Sequence, residues 1–266
     1  MTYRYTLPAL ACLCLFAYQP AQAAAETLTR DEVLQEFKSA ENKSHGTVGA
    51  AAMDLQTGKR IDINGDKPFP MQSVYKMPIA MAALGQVDAG KFALDQKFTL
   101  KPEDYAQKDI YSPIRDKNPD GGTFSLLDLI RPTVSISDNS TSDYIMKLIG
   151  GPGAVMTFLT DIGTSQIIVK NYEREIQSDW SLQYKNSSTP YAMVDLLGRL
   201  HLGEGLTSGS RETLLQIMRD TTTGPNRIKG KLPKSLIVAH KTGTSGVRDG
   251  VAGATNDAGI ITLPDG

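Results

Sequence analysis

The chain has 266 residues, which is enough for one large domain or for two small domains that share a core. It carries 28 Lys and Arg residues against 29 Asp and Glu residues, a formal net charge of −1. This balance argues against a nucleic-acid-binding protein and against binding to an anionic membrane surface.

The N-terminal segment has the features of a secretory signal peptide. Arg4 precedes an apolar run at residues 7–18 that is too short to span a bilayer, and Ala21-Gln22-Ala23 has the small-x-small pattern of a cleavage site. We therefore expect residues 1–23 to be removed and the mature protein to be secreted, in the periplasm. A buried N-terminal helix is the alternative, but it gives no role to the Ala-x-Ala sequence.

Both cysteines, Cys12 and Cys14, lie inside this apolar run. A lipid anchor is disfavoured because the residues before Cys12 make a poor lipobox. The mature chain then has no cysteine, so it needs no disulfide in an oxidising compartment and has no thiolate nucleophile. No later apolar stretch is long enough to cross a membrane, and we expect no membrane association after cleavage.

Helix and strand signals follow a simple order along the mature chain. Thr29-Arg-Asp-Glu32 is a capping box that predicts an opening helix, and a β-hairpin is predicted at residues 46–63. Helix signals then dominate, at residues 73–84, after Ser125, at 139–149, 153–162, after Thr189-Pro190, and at 211–219. Strand signals return at residues 236–239 and 251–262.

This order predicts an α+β fold. One antiparallel sheet flanked by helices would be built from both chain ends, at residues 24–66 and 225–266. An all-helical lobe, residues 67–224, would be inserted between them. We expect the active site in the cleft between the two lobes.

The first motif with catalytic potential is Ser73-Val-Tyr-Lys76. A serine needs a nearby base to act as a nucleophile, and positions i and i+3 share one face of a helix, so Lys76 can approach the Ser73 hydroxyl. About one Ser-x-x-Lys is expected by chance in a chain of this length, so a solvent-facing serine and lysine remain the alternative.

Two further motifs lie at element ends. Ser137-Asp-Asn139 stands at a predicted helix start, where an ordinary N-cap is the alternative. Lys241-Thr-Gly-Thr244 ends a predicted strand, where a cation can bind a carboxylate and Gly243 permits close approach of a ligand. A plain turn is the alternative there. Each motif alone is a modest signal, but the three in this order are a known set.

With these motifs the chain resembles class A serine β-lactamases, most closely the PER/VEB-like extended-spectrum branch, from about residue 29 to residue 266. The segments most similar to that branch are Thr221-Thr-Thr-Gly224, residues 237–246, Tyr111-Ser-Pro113 and Gln183-Tyr-x-Asn186. The resemblance implies hydrolysis of the β-lactam amide of penicillins and cephalosporins, and hence antibiotic resistance.

The resemblance also implies a role for each matching residue. Ser73 would be acylated, Lys76 would exchange its proton, and Ser137 would pass a proton to the leaving nitrogen. Asn139 would bind the side-chain amide of the substrate, and Lys241, Thr242 and Arg227 would bind its carboxylate. Tyr111 would form a wall of the cleft. The backbone N–H groups of Ser73 and Thr244 would form the oxyanion hole.

Two carboxylates compete for the role of deacylation base. In the family the base has an apolar residue three positions later and a water-holding polar residue four positions later. From Glu173 these are Ile176 and Gln177, whereas from Glu175 they are Ser178 and Asp179. We therefore predict Glu173 as the base and Gln177 as a residue that holds the hydrolytic water, in an omega-type loop at about residues 171–188.

Several positions differ from the commoner class A pattern. Arg174 replaces a proline, Asn171 and Asn186 replace an ion pair, and His240 replaces an aspartate. Family members also continue beyond the equivalent of Gly266 with a strand and a closing helix. On this basis we expect either a fragment or a product of low stability, with the strand ending at Thr262 exposed at its edge.

No cofactor and no metal are expected. The three histidines are scattered and have no zinc-binding spacing. We expect a monomer whose partner is a small-molecule β-lactam. The alternatives are a peptidoglycan transpeptidase or carboxypeptidase, which shares the motifs but not the Glu173 arrangement, and a penicillin-binding sensor or inactive truncated product.

Overall fold

The computed structural model describes residues 29–164 and 166–264. The predicted signal peptide at residues 1–23 lies outside these ranges. Within them, every helix is too short or too polar to cross a bilayer.

The N-terminal elements confirm the local sequence signals. Helix α1, Arg30–Ser44, begins after Thr29, whose side chain and that of Glu32 exchange hydrogen bonds with each other's backbone in the predicted capping box. The strands β1, Ala50–Met53, and β2, Arg60–Ile63, form the predicted antiparallel hairpin.

Helices occupy most of the middle of the chain. They are α2 Lys76–Asp88, α3 Pro113–Lys117, α4 Leu126–Ser135, α5 Asn139–Leu148, α6 Gly151–Asp161, α7 Glu173–Ser178, α8 Pro190–Leu202 and α9 Ser208–Arg219. The strands that follow β2 are β3 Phe69–Pro70, β4 Lys97–Leu100, β5 Gly122–Ser125, β6 Ile167–Ile168, β7 Ser187–Ser188, β8 Ile237–Thr244, β9 Val247–Arg248, β10 Val251–Ala252 and β11 Thr255–Thr262.

Helix α2 lies at the centre of the helical core. Its residues from Lys76 to Leu84 are all buried, and it packs against α4, α5, α6 and α9. A helix that is apolar on every side must be surrounded by other elements, which explains this central position. The predicted caps are also present, since Ser125 caps α4 and Thr189 caps α8 with Pro190 in the first helical turn.

Two predicted elements have different boundaries in the structure. The helix expected at 73–84 begins as a 3₁₀ turn, Gln72–Tyr75, closed by a 3.1 Å hydrogen bond from Val74 N to Met71 O, and becomes α-helical only at Lys76. The strand expected at 251–262 is divided into β10 and β11, because the chain bends where Ala254 N donates to the Ser245 hydroxyl.

The strands β8 and β11 form the longest antiparallel ladder, running from Ile237 opposite Thr262 to Thr244 opposite Thr255. In the described ranges, this ladder and the β1–β2 hairpin share no hydrogen bonds. The α+β class is thus confirmed, but the sheet expected from both chain ends is present as two separate ladders. Strand β8 contacts α9 and the 3₁₀ turn of residues 72–75, which brings the third motif to the first.

Candidate active site

Ser73 is half-buried in the 3₁₀ turn that leads into α2, directly beside strand β8. The closest approach is at Gly243. A Cβ atom added there would lie 3.1 Å from Ser73 N and 2.5 Å from Met71 O. Only glycine allows the strand to lie this close to the turn. The packing of the Lys-Thr-Gly motif against the Ser73 turn therefore depends on Gly243.

Lys76 is fully buried, and its ammonium group contacts the second motif. It donates to the Ser137 carbonyl at 2.8 Å, to Ser137 Oγ at 3.4 Å, and to Asn139 Oδ1. The expected hydrogen bond to the Ser73 hydroxyl is not formed. The carbonyl and amide oxygens of residues 137 and 139 are directed at the ammonium and bind it instead.

Ser137 connects the two lysines of the site. Its backbone has a φ of 64°, in the left-handed region that a non-glycine residue adopts at a cost on the order of 1–3 kcal/mol. Its hydroxyl accepts from Lys241 Nζ at 3.0 Å and from Lys76 Nζ at 3.4 Å. The serine oxygen therefore lies between two ammonium groups.

The electrostatics of these lysines follow from their burial. Both side chains are fully buried. Burial lowers the pKa of Lys76, and the negative charge of Glu173 partly opposes this effect. The pKa of Lys241 is well below its usual value, first because of burial and then because of the neighbouring Lys76 charge. A lysine with a lowered pKa gives up its proton more readily and so is better suited to act as a base.

Arg227 binds the C-terminal end of strand β8. Its guanidinium donates to the Gly243 carbonyl at 2.9 Å and to Thr244 Oγ1 at 2.5 Å. The hydroxyl of Thr242 lies 2.5 Å from that of Thr223. Together with Lys241, these groups concentrate positive charge and hydroxyl donors along β8, as a bound carboxylate requires.

The two candidate carboxylates have different surroundings. Glu173 opens α7 and is 8% exposed; its Oε1 accepts from Gln177 Nε2 at 2.8 Å and its Oε2 from the Tyr75 hydroxyl at 3.1 Å. Glu175 instead accepts from Tyr172 N at 2.9 Å and from Asn171 Nδ2 at 3.2 Å. Glu173 thus contacts the turn that carries Ser73, through Tyr75, whereas Glu175 stabilises its own loop.

Comparison with known proteins identifies the family. The family model described as the β-lactamase enzyme family matches residues 31–266. The chain belongs to this β-lactamase family. β-Lactamase VEB-1 of Pseudomonas aeruginosa is 41% identical over 265 residues, which cover 99% of this chain and 86% of the relative. The extended-spectrum β-lactamase PER-1 of the same organism is 37% identical, over 91% of this chain and 79% of the relative.

Solved structures agree with this assignment. A β-lactamase from Chitinophaga pinensis DSM 2588 has a TM-score of 0.85 and 42% identity, over 88% of this chain and 86% of that one. The extended-spectrum β-lactamase TLA-3 has a TM-score of 0.86 and 37% identity, over 90% of this chain and 87% of that one. The expected resemblance to class A β-lactamases and to the PER/VEB-like branch is confirmed, and with it the reaction class, β-lactam hydrolysis.

The remaining predicted site residue of this β-lactamase, Tyr111, lies at the surface and is 57% exposed. Its neighbour Ser112 is buried and donates to the Asp138 carboxylate at 3.2 Å. Asp138 also accepts from Ile114 N at 2.8 Å and from Thr141 N at 3.0 Å, so it joins the Tyr111 segment to the start of α5. Asp138, the middle residue of the second motif, therefore has a structural role. This agrees with the alternative interpretation of the motif as an ordinary N-cap.

The ion pair common in other class A β-lactamases is replaced here by a neutral amide bridge. Asn186 is almost fully buried, and its Oδ1 accepts from Lys170 N at 2.8 Å and Asn171 N at 3.0 Å. Its Nδ2 donates to the Asn171 carbonyl at 2.9 Å. One side chain thus closes the loop that carries Glu173.

Sequence reasoning missed two buried groups of this β-lactamase that contact Glu173. Asp143, on α5, accepts from Glu173 N at 2.7 Å and from Arg174 N at 3.0 Å, and it pairs with the Arg174 side chain at 3.1 Å. Tyr75 donates to the Glu173 carboxylate. Tyr75 lies two positions after Ser73, and Asp143 lies four positions after Asn139. Nothing in the local sequence pattern indicates that either residue contacts Glu173.

Proposed function

We propose that this β-lactamase hydrolyses penicillins and cephalosporins through an acyl-enzyme on Ser73, with Glu173 as the base that releases it. The decisive observation is the buried Glu173 carboxylate, whose Oε1 accepts a hydrogen bond from Gln177 at 2.8 Å. A transpeptidase needs no such base, whereas a hydrolase must activate water against the acyl-enzyme.

In the acylation step, the Ser73 oxygen attacks the β-lactam carbonyl carbon and transfers its proton to Lys76. The basicity of Lys76 fits this role, since burial lowers its pKa. The carbonyl oxygen becomes an oxyanion that the N–H groups of Ser73 and Thr244 stabilise. The proton then passes from Lys76 to Ser137, 3.4 Å away, as Ser137 gives its own proton to the departing lactam nitrogen.

In the deacylation step, the Glu173 carboxylate takes a proton from a water molecule that attacks the ester carbonyl carbon. The ester bond then breaks, the proton held by Glu173 passes to the Ser73 oxygen, and the opened acid is released. Gln177 donates to Glu173 at 2.8 Å and can bind the same water through its amide oxygen. Its side chain is exposed at the edge of the loop, which leaves space for that water.

The remaining proposed roles concern binding of the substrate. The substrate carboxylate would bind Lys241, Thr242 and Arg227. Asn139 uses Oδ1 to accept from Lys76, so its Nδ2 can donate to the side-chain amide of the substrate. Tyr111 would form the outer wall of the site, since its ring is exposed.

We further propose that the substrates include oxyimino-cephalosporins, because the relatives PER-1 and TLA-3 are extended-spectrum enzymes. The protein would act as a periplasmic monomer, with the α/β lobe and the helical lobe divided at about residues 66 and 225. The division is supported by the helical composition of residues 76–219 between the hairpin β1–β2 and the ladder β8–β11.

The test compares two substitutions that each remove one negative charge, Glu173→Gln and Glu175→Gln. Each protein is mixed with a cephalosporin, hydrolysis is followed by absorbance, and intact mass is recorded over time. Glu173→Gln should gain the mass of the substrate and keep it, whereas Glu175→Gln should turn over within about threefold of the wild type, since it keeps an oxygen acceptor for Tyr172 N.

Two outcomes would contradict the proposal. If Glu173→Gln hydrolysed the substrate as fast as the wild type, Glu173 would not be the deacylation base. A wild-type protein that stays acylated would favour the penicillin-binding sensor.

A further inference from the structure

Tyr75 brings a polar group into the apolar core beside the active site. It ends the 3₁₀ turn that carries Ser73, and its side chain is 0% exposed. Its ring belongs to the main hydrophobic cluster, where a phenylalanine would fill nearly the same volume. The hydroxyl therefore needs a hydrogen-bond partner, because an unpaired buried hydroxyl is destabilising.

That partner lies 98 residues away. The Tyr75 hydroxyl is 3.1 Å from Glu173 Oε2, and this is its one hydrogen bond among the described residues. Burial raises the pKa of Tyr75 well above its usual value, and the charges of Glu173 and Asp143 raise it further. The phenol therefore stays protonated. Its O–H donates the hydrogen bond, and the Glu173 carboxylate accepts that bond.

The carboxylate of Glu173 is thus held by two donors from different elements. Gln177, one turn later on α7, donates to Oε1 at 2.8 Å, and Tyr75 donates to Oε2. The backbone N–H of Glu173 is fixed separately by Asp143 at 2.7 Å. Of these three contacts, only that of Tyr75 joins the base directly to the turn that carries the nucleophile.

We propose that Tyr75 is a positioning residue for the hydrolytic half of the reaction, donating a hydrogen bond that keeps the Glu173 carboxylate aligned with the acylated Ser73. This inference rests on the proposed role of Glu173 as the base. Without this donor the carboxylate is free to turn away from the acyl-enzyme, so deacylation should slow. The acylation step does not use this contact.

The other charged groups around Glu173 set the background for this effect. Lys76 on α2 and Lys241 on β8 contribute positive charge, while Asp143 on α5 and Glu175 on α7 contribute negative charge. Tyr75→Phe changes none of these charges. A change in the deacylation rate of that variant therefore reports on the hydroxyl alone.

The experiment measures kcat with a substrate whose turnover is limited by deacylation, and the acylation rate by stopped flow. In Tyr75→Phe the deacylation rate should be about threefold to tenfold lower than in the wild type. The acylation rate should stay within about twofold of wild type.

The matched control is Tyr105→Phe. Tyr105 is also a buried tyrosine of the main cluster, but its hydroxyl has no hydrogen-bond partner among the described residues. Its deacylation rate should equal that of the wild type. As a second variant, Tyr75→3-fluorotyrosine keeps both the shape and the donor, so its deacylation rate should stay within about twofold of the wild type.

The outcomes separate this inference from the proposed function. Equal deacylation rates in wild type and Tyr75→Phe would overturn the role of Tyr75, provided that Glu173→Gln still accumulates acyl-enzyme. Full turnover by Glu173→Gln would instead overturn the proposed base. A Tyr75→Phe protein that loses acylation and deacylation equally would show a purely structural role.

Discussion

The Lys241 ammonium group donates to the hydroxyl of Ser137 across 3.0 Å, although 104 residues separate the two along the chain. Lys76 approaches the same hydroxyl at 3.4 Å. Two buried amines therefore converge on one serine oxygen, and the charge of Lys76 lowers the pKa of Lys241. This convergence brings the first, second and third motifs into direct contact and has measurable consequences.

The first consequence concerns stability and pH. Burial lowers the folded-state pKa of Lys241 well below the value of 10.5 expected in the unfolded chain. Between the two pKa values the unfolded state binds more protons, so the free energy of unfolding should rise with pH in this window. In Lys241→Met this rise should be smaller, as checked by urea unfolding from neutral pH to pH of about 10.

The control for this prediction is Lys234→Met, which removes an exposed lysine close by in sequence. Its stability should follow the wild-type pH dependence in parallel. Equal slopes for all three proteins would show that Lys241 titrates normally in the folded chain.

The second prediction concerns the close approach of β8 to the nucleophile. In Gly243→Ala the new methyl group would lie 2.5 Å from Met71 O and 3.1 Å from Ser73 N, so the strand and the turn must separate. Overpacking of this kind destabilises by about 1–3 kcal/mol. We expect a lower melting temperature and an acylation rate at least tenfold lower, since a shift of about 1 Å has a large effect on rate.

Gly153→Ala is the matched control. A Cβ at Gly153 meets no atom within 4 Å, and the residue is exposed in the first turns of α6. This substitution should leave acylation unchanged and stabilise the protein by about 0.5–1 kcal/mol. Unaltered acylation in Gly243→Ala would show that the turn around Ser73 tolerates displacement of the strand.

The third prediction concerns the amide bridge in the loop that carries Glu173. In Asn186→Ala the N–H groups of Lys170 and Asn171 and the Asn171 carbonyl lose their partner. An unsatisfied buried polar group costs about 1–3 kcal/mol, so the free energy of unfolding should fall by about 2 kcal/mol or more. Deacylation should slow more than acylation, because the loop holds Glu173 and not Ser73.

Urea unfolding and single-turnover kinetics check this prediction. Asn42→Ala, on an exposed position of α1, is the control and should change neither quantity. Equal slowing of both chemical steps in Asn186→Ala would place the effect in the whole site and not in the loop.

The sequence alone determined the features that depend on neighbours within about four positions. Thr29, Ser125 and Thr189 cap their helices as predicted, because a cap is a contact with the backbone two or three residues later. The contact of Gln177 with Glu173 also follows from local spacing, since the two residues are one helical turn apart, whereas the role of Glu173 as the base stays a prediction. The three motifs in order were sufficient to indicate the family.

Only the tertiary structure decided which distant groups meet. The local spacing predicted a Lys76 contact with Ser73, yet Lys76 binds Ser137 and Asn139, more than 60 positions later. The contact of Tyr75 with Glu173 spans 98 residues and has no local signal. Such contacts form because burial forces each polar group to find a partner, and the packing of α2, α5, α7 and β8 determines which partner is near.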